Sequence, residues 1–155
     1  MALVGLKTYY SFPNIDATNR SFRYSPNNGT AWFNVNIPEG CYEITDINEQ
    51  VQRVMKGAGH YNLATDDHNI SIEANNNTLK TVLRIAEGYV VDFTTPNSIR
   101  TVLRFNAWRY LSGYKESENI VDIMSITSLR VTSEFIGASY TNGTTGNVIY
   151  SFFQK

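Results

Sequence analysis

Ile70 to Thr94 reads ISIEANNNTLKTVLRIAEGYVVDFT. Ile70 to Ala74 suits a short strand, Asn75-Asn76-Asn77 suits a tight turn, and Thr78 to Ile85 suits a returning strand with Leu79, Leu83 and Ile85 on one face. Glu87-Gly88 reads as a second turn into Tyr89–Thr94. β-branched and aromatic residues dominate the runs, and Asn and Gly punctuate them. The stretch therefore predicts a three-strand antiparallel meander.

The same grammar extends upstream. Leu3 to Phe12 predicts a first strand, ended by Pro13. Ser21 to Tyr24 and Ala31 to Ile37 predict a hairpin across Pro26-Asn27-Asn28-Gly29. In AWFNVNI, Phe33, Val35 and Ile37 fall on one face and Trp32, Asn34 and Asn36 on the other. A helix is predicted from Thr45 to about Lys56, with Thr45 as its N-cap and Gly57 in the left-handed position after its end. Ile47, Val51, Val54 and Met55 form its apolar stripe. Pro96 at N1 opens one or two further helical turns over Ser98–Phe105, with Ile99, Val102 and Leu103 as a stripe.

Downstream, Asn106–Tyr114 reads as aromatic and irregular, and Lys115–Asn119 as an exposed loop. Ile120–Tyr140 is the longest β-like run, and Val148–Phe153 the final strand after the Asn142–Gly146 turn. No linker or internal repeat divides the chain. The expected fold is all-β: one domain spanning residues 1–155, an antiparallel β-sandwich of jelly-roll type with one or two short helices. The expected core holds Phe33, Val35, Ile37, Ile47, Val51, Leu83, Val91, Phe93, Leu129 and Val131.

Composition narrows the function. At 155 residues the chain is long enough for one core. Thirteen Lys and Arg against fourteen Asp and Glu leave a net charge of −1, which offers no electrostatic footprint for nucleic acid. No apolar run reaches the roughly 18 residues of a membrane span. The first residues carry no basic n-region of a signal peptide. A lone cysteine, Cys41, excludes a stapled scaffold and suits folding in a reducing compartment.

The search for chemistry is sparse. Cys41 precedes a helix but reads as a small buried or half-buried residue. His60 and His68 bracket Asp66-Asp67 without metal-ligand spacing, and read as a solvated loop. Asp92 and Glu134 read as edge or solvent-face carboxylates. There is no nucleotide-binding glycine loop, nucleophile elbow or zinc-protease helix. The expectation is a protein that is not an enzyme and needs no metal or cofactor. Aromatic residues make up 13% and charged residues 17% of the chain, a balance that suits contacts between like copies. Tyr10, Trp32, Arg104, Trp108, Arg109 and Tyr110 are the candidate interface residues. Tyr10, Trp32, Trp108 and Tyr110 are expected to point outward.

One block is more specific. FNVNIPEG leads into Cys41-Tyr42-Glu43-Ile44 and the Asp46-Ile47-Asn48 helix, then the strand pair, then VDFTTPNSIRTVLRF. This resembles a recurring block in virion proteins of large dsDNA viruses and Polinton/Maverick-type elements. There the order is strand, P-x-G-x-Y, a D-I-N helix, a meander, and D-F-T-x-P-N-S-I-x-x-x-L-G-F. Where that pattern has L-G-F, this chain has Leu103-Arg104-Phe105, so the glycine turn is expected to be reshaped. The resemblance implies a jelly-roll capsid component: penton-like, minor capsid or fibre head, located in the virion. Its implied partners are itself, as a trimer or pentamer, other capsid proteins, and a host-surface receptor or glycan. Nucleic acid and membrane insertion are not expected. The alternative reading is a carbohydrate-binding β-sandwich that stacks sugars on Trp32, Trp108 or a nearby Tyr.

Overall fold

The structure, a computed structural model, describes residues 13–61 and 68–121, and the backbone of four short strands between 128 and 153. The chain divides into two compact units: Ser11–Ile123, and Met1–Tyr10 with Met124–Lys155. The described residues are mostly β, with few helices.

In the larger unit β1 (Ser21–Ser25) and β2 (Phe33–Asn36) form the hairpin expected from Pro26–Gly29. Helix α1 (Ile44–Gly57) follows, then β3 (Ile70–Asn75), β4 (Lys80–Asp92), α2 (Arg100–Leu103) and β5 (Arg109–Glu116). The five strands make one antiparallel sheet. β4 is its spine. β3 pairs with its first half, β1 with its last three residues, and β5 runs along its opposite edge beside both halves.

The length of β4 corrects one expectation. Glu87-Gly88 is not a chain reversal. Gly88 has φ of +82°, and residues 86–89 form a bulge between the Ile85–Gly113 and Val90–Leu111 pairs. A glycine with positive φ serves a turn or a bulge equally well, so the local signal was ambiguous. The meander's third strand is instead β5, in the stretch that read as irregular and loop.

One face of the sheet carries the core. Phe22, Tyr24, Val35, Ile37, Ile70, Ile72, Leu83, Ile85, Val91 and Phe93 are buried there with Ile47, Val51 and Met55 of α1 and Val102 and Leu103 of α2. The expected core residues Val35, Ile37, Ile47, Val51, Leu83, Val91 and Phe93 all belong to it. Phe33 does not, being 36% exposed at the rim and stacked on Tyr24 with His60 against its edge. Strand alternation chose its face correctly, but β2 ends where the core ends. The side chains of Leu129 and Val131 lie outside the described residues.

Helix α1 begins at Ile44, and its N-cap is Glu43 rather than Thr45, two residues earlier than expected; the Glu43 backbone N–H donates to the Asp46 carboxylate at 2.9 Å. The helix closes on Gly59 (φ +75°) rather than Gly57: Gly59 N–H reaches the Lys56 carbonyl and His60 N–H the Met55 carbonyl. Its polar face also engages the β3 edge. Asn48 Oδ1 accepts the Ile72 N–H at 2.9 Å, and Gln52 Nε2 donates to the Ile70 carbonyl at 2.6 Å. The Asn of the D-I-N motif thus occupies a strand's spare backbone donor.

Arg104, after α2, has φ 62° and ψ 26°. The left-handed turn that glycine would make is kept by an arginine, not reshaped.

In the smaller unit β6 (Ser128–Thr132) pairs antiparallel with β9 (Val148–Phe153), and β7 (Ser139–Thr141) with β8 (Thr144–Gly146). The expected first strand, Leu3–Phe12, lies outside the described residues.

Candidate interaction surface on the outer sheet face

The face of the sheet away from α1 carries a polar row in strand register. Asn34, Arg23, Asp92 and Arg109 are successive partners across β2, β1, β4 and β5. Asp92 is fully buried. Its Oδ2 accepts from Arg23 Nε at 3.0 Å and Nη2 at 2.8 Å, and from Arg109 Nε at 3.0 Å. Its Oδ1 accepts from the Thr94 N–H at 2.8 Å and hydroxyl at 2.6 Å. Burial by itself would raise the Asp92 pKa. The Thr94 bonds, followed by those from Arg23 and Arg109, outweigh it and hold the pKa down at about 2. The half-buried Trp32 ring lies under both guanidinium groups, 4.7 Å from Arg23 and 5.2 Å from Arg109.

A carboxylate so engaged is a poor proton carrier at neutral pH. It clasps three strands together. The reading of Asp92 as a solvent-face carboxylate is therefore corrected. The signal that could have found it is Asp-x-Thr at a strand end, where an Asx-type bond fixes the side chain. Glu134 lies outside the described residues.

Beside the β4 bulge, a shallow pocket of about 430 Å³ is lined by His68, Ser71, Glu73, Arg84, Gly113 and Tyr114 among others. Arg84 pairs with Glu73 at 3.2 Å and lies 5.2 Å from the centre of the Tyr114 ring.

β5 borders this face and carries the largest exposed apolar side chains near it. Leu111 is 63% and Tyr114 51% exposed, and Trp108 just before the strand is 59% exposed. Of the candidate interface residues, Trp32 and Arg109 come together in the clasp, and Trp108 is exposed as expected. Arg104 is half-buried at the end of α2. Tyr10 lies outside the described residues. Tyr110 corrects the expectation: it is 7% exposed, packs against Phe93 and Phe105, and donates its hydroxyl to Glu118 at 2.8 Å. Opposite Val91 in the ladder, it faces the core. With β5 unrecognised as a strand, no alternation existed to place it. Leu111, Tyr114 and Arg23 were missed for the same reason or for want of cross-strand register.

Cys41 is exposed, not buried. His60 accepts or donates at Nδ1 to the Tyr24 hydroxyl, 2.7 Å away. Among the described residues no cluster of three His, Cys, Asp or Glu could hold a metal, and no helix is long and apolar enough to cross a membrane. Asp66 and Asp67 lie outside those residues. The chain matches no protein-family model, no curated protein and no solved structure.

Proposed function

We propose that this chain is a structural protein of a virion, of jelly-roll type, working through contacts with copies of itself and with other capsid proteins. One observation carries the reading: β5 exposes five of its eight residues, among them Leu111 and Tyr114, on a chain with little net charge. Exposed apolar groups on a sheet border favour association, and near-zero charge offers little repulsion between copies. The sequence block from Phe33 to Phe105 supports the same class. Penton-like, minor capsid and fibre-head roles all fit. Electron microscopy of the purified full chain tests the proposal: closed rings or capsid-like assemblies support it, and monodisperse single copies oppose it.

The pocket beside the bulge favours a second reading, a carbohydrate-binding module. An aromatic ring flanked by Arg84, Glu73 and Ser71 offers a stacking face and polar groups for hydroxyls. A glycan array read with the wild type and Tyr114→Ala separates this reading from the first.

A further inference from the structure

The sheet has three borders, and they are treated differently. The β3 border is engaged by Asn48 and Gln52 of α1. The β2 border is four residues long. The β5 border is eight residues long, and among the described residues β5 pairs with β4 alone. A long open edge presents backbone donors and acceptors to any incoming strand. We infer that this edge takes a second copy of β5, antiparallel, so that two sheets join into one about a two-fold axis.

The argument is the pattern of the strand, Arg-Tyr-Leu-Ser-Gly-Tyr-Lys-Glu from Arg109 to Glu116. Its ladder with β4 gives the face of each residue. Arg109, Leu111, Tyr114 and Glu116 oppose Asp92, Val90, Arg84 and Val82, on the outer face. Tyr110, Gly113 and Lys115 oppose Val91, Ile85 and Leu83, on the core face. Outer residues are therefore two apart, except across the centre. There an irregularity at Ser112-Gly113, with Gly113 at φ +111°, separates Leu111 from Tyr114 by three.

That irregularity selects the register. A two-fold axis normal to the sheet keeps each residue on its own face, and opposed residues must share a face. With Ser112 opposite Gly113 of the copy, Arg109 opposes Glu116, Tyr110 opposes Lys115 and Leu111 opposes Tyr114, each of these three pairs on matching faces. Shifting by one residue sets outer Arg109 against core-facing Lys115, a like charge. Shifting by two sets core-facing Gly113 against outer Tyr114 in one direction, and in the other loses the Arg109–Glu116 pair and shortens the ladder. In the matched register the end pairs are of opposite charge and the inner outer-face pairs are aliphatic on aromatic, both favourable across strands. A regular strand would conflict with the central bulge, whereas a copy carries the same bulge. The edge is thus guarded against foreign strands and complementary to itself.

This inference rests on the self-associating reading, and the test separates the two. On a Cys41→Ser background, Leu111→Cys and Tyr114→Cys are made singly in the full chain. They are oxidised under mild conditions alone and as a mixture, beside sedimentation of the wild type and of Leu111→Lys. Both positions are exposed, so the variants can keep the fold, which circular dichroism checks. The expected result is a cross-linked dimer in the mixture at several times the yield of either alone, because only there do the paired positions lie directly opposite, and dissociation of Leu111→Lys. Equal yields in all three samples, or association that survives Leu111→Lys, overturn the β5 interface and leave self-association standing. A wild type that never associates overturns both.

Discussion

Arg23 and Asp92 meet across the β1–β4 ladder, Nη2 2.8 Å from Oδ2, with the carboxylate wholly buried and the guanidinium 4.7 Å from the centre of the Trp32 ring. Arg109 closes the same carboxylate from β5. Three strands are thereby tied at one charge, and the carboxylate they share is fully buried. The arrangement supports the outer face of the sheet, where no helix among the described residues covers it.

The clasp makes stability depend on acid. Asp92 has its pKa lowered from 3.8 to about 2 in the folded chain. A depressed carboxylate pKa stabilises fully above the unfolded value and loses that contribution as pH falls through the folded one. Roughly 2 kcal/mol should therefore be lost between about pH 4 and pH 2. Asp92→Asn should cost about 2 kcal/mol at pH 7, since Arg23 and Arg109 can still reach solvent. It should also flatten the acid limb, as read by denaturant unfolding at several pH values. An acid limb of unchanged size in the variant would assign the loss to other groups.

Val51 is fully buried where α1 packs on the sheet. Val51→Ala should lower unfolding stability by about 2 kcal/mol, the sum of lost transfer energy and a small cavity. A loss of a few tenths in urea unfolding would mean that the helix stripe is not packed as described.

Leu79 sits at φ 55° and is 61% exposed. A left-handed leucine in a turn is strained and buries little. Leu79→Gly should raise stability by about 0.5–1 kcal/mol, visible as a higher melting temperature. A lower one would show that the side chain makes contacts worth more than the strain.

Much of this fold was legible where the signal is local. The β1–β2 hairpin, α1 and its stripe, β3 and the buried triplet Ile99, Val102 and Leu103 follow from periodicity and turn chemistry; the turn expected at Asn75–Asn77 lies at residues 76–79 instead, and Leu79, expected on the strand face with Leu83 and Ile85, is exposed in it. Gly88 shows where local signals stop: its φ is compatible with reversal or bulge, and the choice is made by β5 pairing across it. β5 itself was hidden because Ser112-Gly113 interrupts its alternation. Tyr110 and Asp92 were misplaced as a consequence, since one needed the ladder to find its face and the other needed two arginines delivered by register. Arg104 adopts the glycine conformation without glycine, which no residue preference announces. Gly57 carries the local signal of a helix end, but two further residues fit before Gly59 stops it.

Association of identical copies is the central claim, and sedimentation equilibrium of the full chain across the micromolar range tests it most directly. The account predicts a mass that is a multiple of 17.5 kDa and rises with concentration to a closed species. A single 17.5 kDa component at every concentration would contradict it.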